Sequence, residues 1–145
     1  MKSIILTETN FSKLRDAIKK NKDDKIIFTS KNDELNRKVL EKLPIQILLI
    51  NLEDKKDYQK QRDSGFNQVM AKIAKKNKIQ IGINFDELIS SKNKEKIISR
   101  VIQNIKLCNK YKIQMKFISK TKQNILNLKS LGLVLGMPTW MIKDL

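Results

Sequence analysis

The chain has 145 residues, 40% of them hydrophobic, with four Gly and two Pro, which suits one domain, 1–145, around a single core. Lys and Arg number 31 against 15 Asp and Glu, a net charge of +16 that an opposing polyanion relieves, nucleic acid first among candidates. With no His and a lone Cys108, the usual neutral-pH base, the commonest metal ligand, a thiolate zinc site and an internal disulfide are all excluded.

No apolar run reaches the roughly 20 residues of a membrane-spanning helix. Met1 to Thr7 lacks the length and cleavage pattern of a signal peptide, so the expectation is a soluble, cytoplasmic protein with no membrane partner. The charge is uneven. Residues 1–72 carry 16 basic and 11 acidic groups, residues 73–145 carry 15 and 4. Because 27 of the 31 cations are Lys in a chain crowded with Ile and Asn, an AT-rich coding bias competes with selection for binding. That bias does not by itself strip acids from one half.

In chain order, β-branched runs alternate with amphipathic stretches, the rhythm of βα units around a parallel sheet. Ile4-Ile5-Leu6 reads as a strand, then Asn10 caps a helix with Phe11, Leu14 and Ile18 on one face. Ile26-Ile27-Phe28 reads as the second strand, and a helix over Glu34 to Leu43 stops before Pro44. Ile45 to Ile50 is the third strand. Asn51 to Asp63, with Glu53-Asp54-Lys55-Lys56-Asp57 and no apolar period, reads as a long surface loop of the kind often tied to function.

At Arg62-Asp63-Ser64-Gly65 the pattern predicts a helix capped by Asp63 or Ser64, with Phe66, Val69, Met70, Ile73 and Ala74 on its apolar face. Ile79 to Ile83 and Ile113 to Ile118 complete five strands, each apolar enough to be covered on both faces. Between them Asp86-Glu87 read as first-turn partners of a helix dipole and not as an acid/base pair. A long helix over Asn93 to Tyr111 turns Ile98, Val101, Ile102, Ile105 and Cys108 to the core and Lys96, Arg100, Gln103, Lys106 and Lys110 to water. Lys129 to Gly136 suits helix or strand, with helix preferred, and Trp140 and Met141 read as core packing ahead of a partner contact.

Two features offer chemistry. A polar cap followed by Gly at Ser64-Gly65 leaves backbone N–H groups at a helix start, where a phosphate is received, with Lys60 and Arg62 adding charge. The bland alternative is an ordinary cap. The stripe Lys96, Arg100, Lys106 and Lys110 tracks a nucleic-acid backbone or is a solvated helix face. Neither GxGxxG nor GxxxxGK[ST] occurs.

Arg62-Asp63-Ser64-Gly65-Phe66-Asn67-Gln68-Val69-Met70-Ala71-Lys72-Ile73-Ala74, followed by Ile79-Gln80-Ile81-Gly82-Ile83-Asn84-Phe85, resembles the central block of archaeal ribonuclease P protein component 3. Arg100 to Tyr111 is similar to that family's next helix, Leu131-Gly132-Leu133-Val134-Leu135-Gly136-Met137 to its closing element, and Asn36-Arg37 to an upstream pair. The order of the blocks is kept across nearly the whole chain. The resemblance implies an α/β fold, a partial, TIM-like β/α barrel of five to six parallel strands, related to metal-dependent phosphoesterase barrels but without metal-assisted chemistry or any cofactor. The chain starts at what looks like the family's third strand, so a shortened form is expected. Asn51 stands where members often carry His, and Ser119-Lys120 replaces their Ser-Gly turn.

The implied job is that of a non-catalytic subunit that binds ribonuclease P RNA together with the enzyme's small ferredoxin-like protein subunit. It meets precursor tRNA indirectly, through an enzyme whose RNA cuts the 5′ leader. The expected RNA-binding residues are Lys60, Arg62, Ser64, Gly65, Asn67, Arg100, Lys106, Lys110, Lys120 and Lys122. Two other classes compete: a metal-dependent phosphoesterase-like enzyme, which the absence of His opposes, and a basic α/β scaffold that binds only protein.

Overall fold

In a computed structural model, which describes residues 2–53, 55–56 and 62–145, strands β1 (Ser3–Leu6), β2 (Lys25–Thr29), β3 (Ile47–Ile50), β4 (Gln80–Asn84) and β5 (Met115–Ile118) form one sheet. Every neighbouring pair is parallel and the spatial order is the chain order, β1-β2-β3-β4-β5. This is the winding of a β/α barrel wall, here an open one with five strands, as the sequence rhythm and the resemblance both predict. Parallel neighbours need crossovers, supplied by α1 (Phe11–Lys20), α2 (Asp33–Lys42), α3 (Gln68–Lys76), and α4 (Phe85–Ser90) with α5 (Lys94–Tyr111). Helices α6 (Ile125–Leu135) and α7 (Thr139–Lys143) follow the last strand.

Alternation along the strands sorts the core into two unequal parts. Phe28, Leu48, Ile81 and Met115 share one register row, and with Ile26, Ile50 and Ile83 they pack against helix residues Leu14, Val39, Leu40, Ala74, Val101, Ile105 and Met141. The opposite face is a small cluster of Ile27, Ile47 and Leu49 with Ile118 against it, and among the described residues no helix side chain joins it. A Cβ on Gly82 would stand 3.0 Å from Ile47, 3.1 Å from Ile118 and 3.2 Å from Leu49, so this face closes over a residue with no side chain.

Asparagine sets most of the helix starts. The side chains of Asn10, Asn32, Asn67, Asn84 and Asn124 each accept from backbone N–H groups in the first turn of α1, α2, α3, α4 and α6. The alternative left open for the tail resolves as helix, extended N-terminally to Ile125 by the Asn124 cap and ended by Gly136 at φ +98°. Met141 is fully buried, and the Trp140 indole N–H donates to Asn109 Oδ1 at 3.2 Å, so both serve packing. Cys108 is buried, and burial pushes its thiol far above its ordinary pKa.

Two expectations are corrected. The helix predicted to start at Asp63 or Ser64 starts at Gln68 and is capped by Asn67, leaving Val69 exposed. Gly65 adopts φ +69°, which no right-handed helix accommodates, so the chain turns there before it can coil. On α5 the inward residues are Ile97, Arg100, Val101, Asn104, Ile105 and Cys108, a face rotated from the predicted one, and Arg100 is carried inward with it.

Candidate nucleic-acid interface

The segment from Arg62 to Asn67 has no secondary structure of its own, so its backbone polar groups depend on neighbours. Asp63 Oδ1 accepts from Gly65 N at 2.9 Å, closing a turn, and the Ser64 hydroxyl donates to the Phe66 carbonyl at 3.1 Å. A Cβ on Gly65 would lie 3.0 Å from both Ile50 Cγ2 and Lys55 Cε, so glycine is required by space as well as by φ. Helix α5 supplies further partners. Gln103 Nε2 donates to the Arg62 carbonyl at 3.2 Å, and Asn104 Nδ2 to the Ser64 carbonyl at 3.1 Å.

Arg100 continues this line of polar residues. Only 2% exposed, it donates from Nη2 to the Lys55 carbonyl at 2.8 Å and from Nη1 to the Leu52 carbonyl at 3.3 Å. The expectation that Arg100 lies on a solvated, RNA-facing stripe is therefore corrected: the chain after β3 crosses that side of α5 and draws the guanidinium under it. The Ser64-Gly65 phosphate cradle is corrected likewise, because Ser64 is buried and neither residue lies in the first turn of α3.

The crossing leaves a groove of about 560 Å³ between the segment, the start of α3 and the outer side of α5. Arg62, Lys106 and Lys110 stand along it with the amides of Asn67, Gln68 and Gln103, over apolar side chains of Phe66, Met70 and Leu107. Asp33 and Asp63 also line it, and Asp33 is ion-paired with Lys55, so the cations prevail. Six of the ten expected residues, Arg62, Ser64, Gly65, Asn67, Lys106 and Lys110, meet at this one place. Gln68 and Gln103 were missed. Their signal was spacing, since Gln103 sits one turn from both Arg100 and Lys106.

Of the other four, Lys60 lies outside the described residues and Arg100 is beneath the crossing segment. Lys120 and Lys122 are exposed beyond β5 and are not among the groove residues. There the Ser119 hydroxyl donates to Asp86 Oδ1 at 2.6 Å and Lys120 N to Asp86 Oδ2 at 2.9 Å. The Ser119 bond first, then the Lys120 N–H and its charge, hold the Asp86 carboxyl below the usual carboxylate range.

At the C-terminal mouth of the sheet, where β/α folds bind ligands, Asn84 Nδ2 donates to Asn51 Oδ1 at 3.1 Å and Asn51 Nδ2 to Thr29 Oγ1 at 2.6 Å. A smaller cavity of about 220 Å³ beside them is lined by Lys31, Asn51, Glu53, Lys55 and Glu87. Among the described residues no group of three or more His, Cys, Asp or Glu is placed to hold a metal ion, and no helix is long and apolar enough to cross a membrane.

No protein-family model matches the chain. Ribonuclease P protein component 3 of Methanococcus maripaludis strain C5 is 28% identical over 131 residues, 88% of this chain and 54% of that protein. The protein of the same name from Methanosarcina acetivorans is 34% identical over 118 residues, 79% of this chain and 46% of that protein. The chain thus spans about half the length of the curated relatives it matches. One chain in a cryo-EM structure of archaeal ribonuclease P with mature tRNA shares the fold at a TM-score of 0.77 and 20% identity, covering 96% of this chain and 62% of that one.

Proposed function

We propose that this chain, a sequence homologue of archaeal ribonuclease P protein component 3, is a non-catalytic, RNA-binding protein subunit of ribonuclease P that helps its catalytic RNA mature the 5′ ends of precursor tRNA. The observation that carries this reading is the match to component 3 proteins along 88% of the chain. The groove supports it from the chemistry. Arg62, Lys106 and Lys110 supply charge for phosphates and Asn67, Gln68 and Gln103 supply amides for sugar and base edges.

In this reading the chain works in the cytoplasm beside a small ferredoxin-like protein subunit, meets precursor tRNA only through the assembled enzyme, and cuts nothing alone. Lys120 and Lys122 extend the RNA footprint past the groove, and Lys60 adds to it. Reconstitution tests the reading. Cognate ribonuclease P RNA with the small subunit, at limiting magnesium, is expected to cleave precursor tRNA faster when this chain is added, and less so with Arg62→Ala/Lys106→Ala/Lys110→Ala. Cleavage indifferent to the wild-type chain would sink the assignment.

A further inference from the structure

Helix α6 is built mainly of Ile, Leu and Val, with Asn127, Lys129 and Ser130 as its polar residues. Leu135 and Gly132 are buried and Leu131 packs on the core. On the opposite side Leu126, Leu133 and Val134, at i, i+7 and i+8, are 70%, 68% and 82% exposed. A surface helix ordinarily turns charged and polar residues outward. Of the seven large apolar residues exposed among the described ones, four are on this helix, the fourth being Ile125. Scattered exposed apolar residues need no explanation, but a stripe on one helix marks a contact surface.

The surrounding charge decides what covers it. From Lys96 to Lys143 the chain contains ten Lys and Arg and no Asp or Glu. Lys120 and Lys122 stand exposed before α6, Lys129 sits on it and Lys143 follows in α7. A second copy would bring these same cations against themselves, at +16 for each chain. Structured RNA would satisfy the lysines, but it turns mainly sugar and phosphate outward and covers a face of leucines and valine poorly.

We propose that the outer face of α6 docks a protein partner presenting an apolar helix or sheet face rimmed by Asp and Glu. The apolar centre supplies most of the affinity by excluding water, and the lysine rim sets orientation and encounter rate. The proposal rests on the reading above, in which the chain works beside another protein subunit.

The test is a charge-neutral variant of the full chain, Leu126→Gln/Leu133→Gln/Val134→Thr, titrated separately with the small protein subunit of the cognate enzyme and with its RNA. Circular dichroism confirms an intact fold. The variant is expected to bind the small subunit about 30-fold or more weakly, the scale of losing an interface centre, with RNA affinity unchanged. Equal binding of variant and wild type overturns the proposal. So does a wild-type dimer that the variant abolishes, which would make the occupant a second copy, or a loss of RNA affinity with pairing intact. Wild-type protein that accelerates cleavage without binding the small subunit overturns this inference and leaves the ribonuclease P reading standing; wild-type protein that does neither overturns both.

Discussion

Helix α5 has two neighbours that it holds in opposite ways. The segment from Arg62 to Asn67 is tied to it by side-chain amides reaching the carbonyls of Arg62 and Ser64, whereas α6 packs on the core through Leu131 and Leu135. The difference follows from backbone accounting. A segment outside any helix or strand needs polar partners from whatever it crosses, so α5 presents Gln103 and Asn104 to it, and Arg100 to the chain after β3. A helix satisfies its own backbone and asks only for apolar contact. It is therefore free to present an unrelated surface on its far side.

Breaking the polar tie should have the largest effect. Arg100→Met removes the guanidinium that partners the Leu52 and Lys55 carbonyls, and about 3 kcal/mol of stability in urea unfolding is the expected loss. A loss below about 1 kcal/mol would mean that the crossing segment does not depend on α5. Gly65→Ala comes next. It forces a side chain into φ +69° against Ile50 and Lys55, for roughly 2 kcal/mol, with the groove opened as well.

Changes on the groove's rim should separate binding from folding. In Arg62→Ala/Lys106→Ala/Lys110→Ala, stability is expected to stay within about 0.5 kcal/mol per site. The slope of log affinity for RNA against log salt should meanwhile fall by about 2 to 3. An unchanged slope would remove the groove from the RNA footprint. The smallest effect belongs to Asp86, whose carboxyl is held below its ordinary pKa by the Ser119 hydroxyl and the Lys120 N–H. A carboxylate depressed in the folded state contributes stability above its unfolded pKa and loses it as pH falls through its folded one. Asp86→Asn should therefore flatten the acid side of the stability profile slightly, read by thermal melts across that range.

The α6 side sharpens the comparison from the other direction. Leu133→Gln alone should leave unfolding within about 0.5 kcal/mol of wild type, because the replaced surface is already in water. A cost above about 1 kcal/mol would show that this face is packed in the free chain, which removes the basis for a docking surface.

How much was legible in the sequence depended on how local the cause was. The five strands and the starts of α1 and α2 follow from short apolar runs and from asparagines whose side chains bond within their own first turn, as at Asn10. The winding followed as well, since consecutive parallel strands need crossovers between them. The ordered blocks from Arg62 to Met137 carried the family resemblance without any coordinates. The residue types of the groove could be read too, because six of its members cluster in two short stretches of the chain.

The sides of α5 and α6 could not be read that way, and the reason is shared. Periodicity says that a helix has an apolar stripe but not which neighbour lies over the remaining arc. Arg100 reads as a solvent-facing cation at its position in the pattern, and only the chain crossing after β3 makes it a buried donor. Val134 shares the helical spacing of Leu131 and Leu135, and only the packing of α6 through those two leaves it in water. Local hydrogen bonding and strand alternation were thus determined by the sequence alone. Which charges are buried and which apolar residues are exposed was decided by tertiary structure, because burial depends on segments distant in the chain.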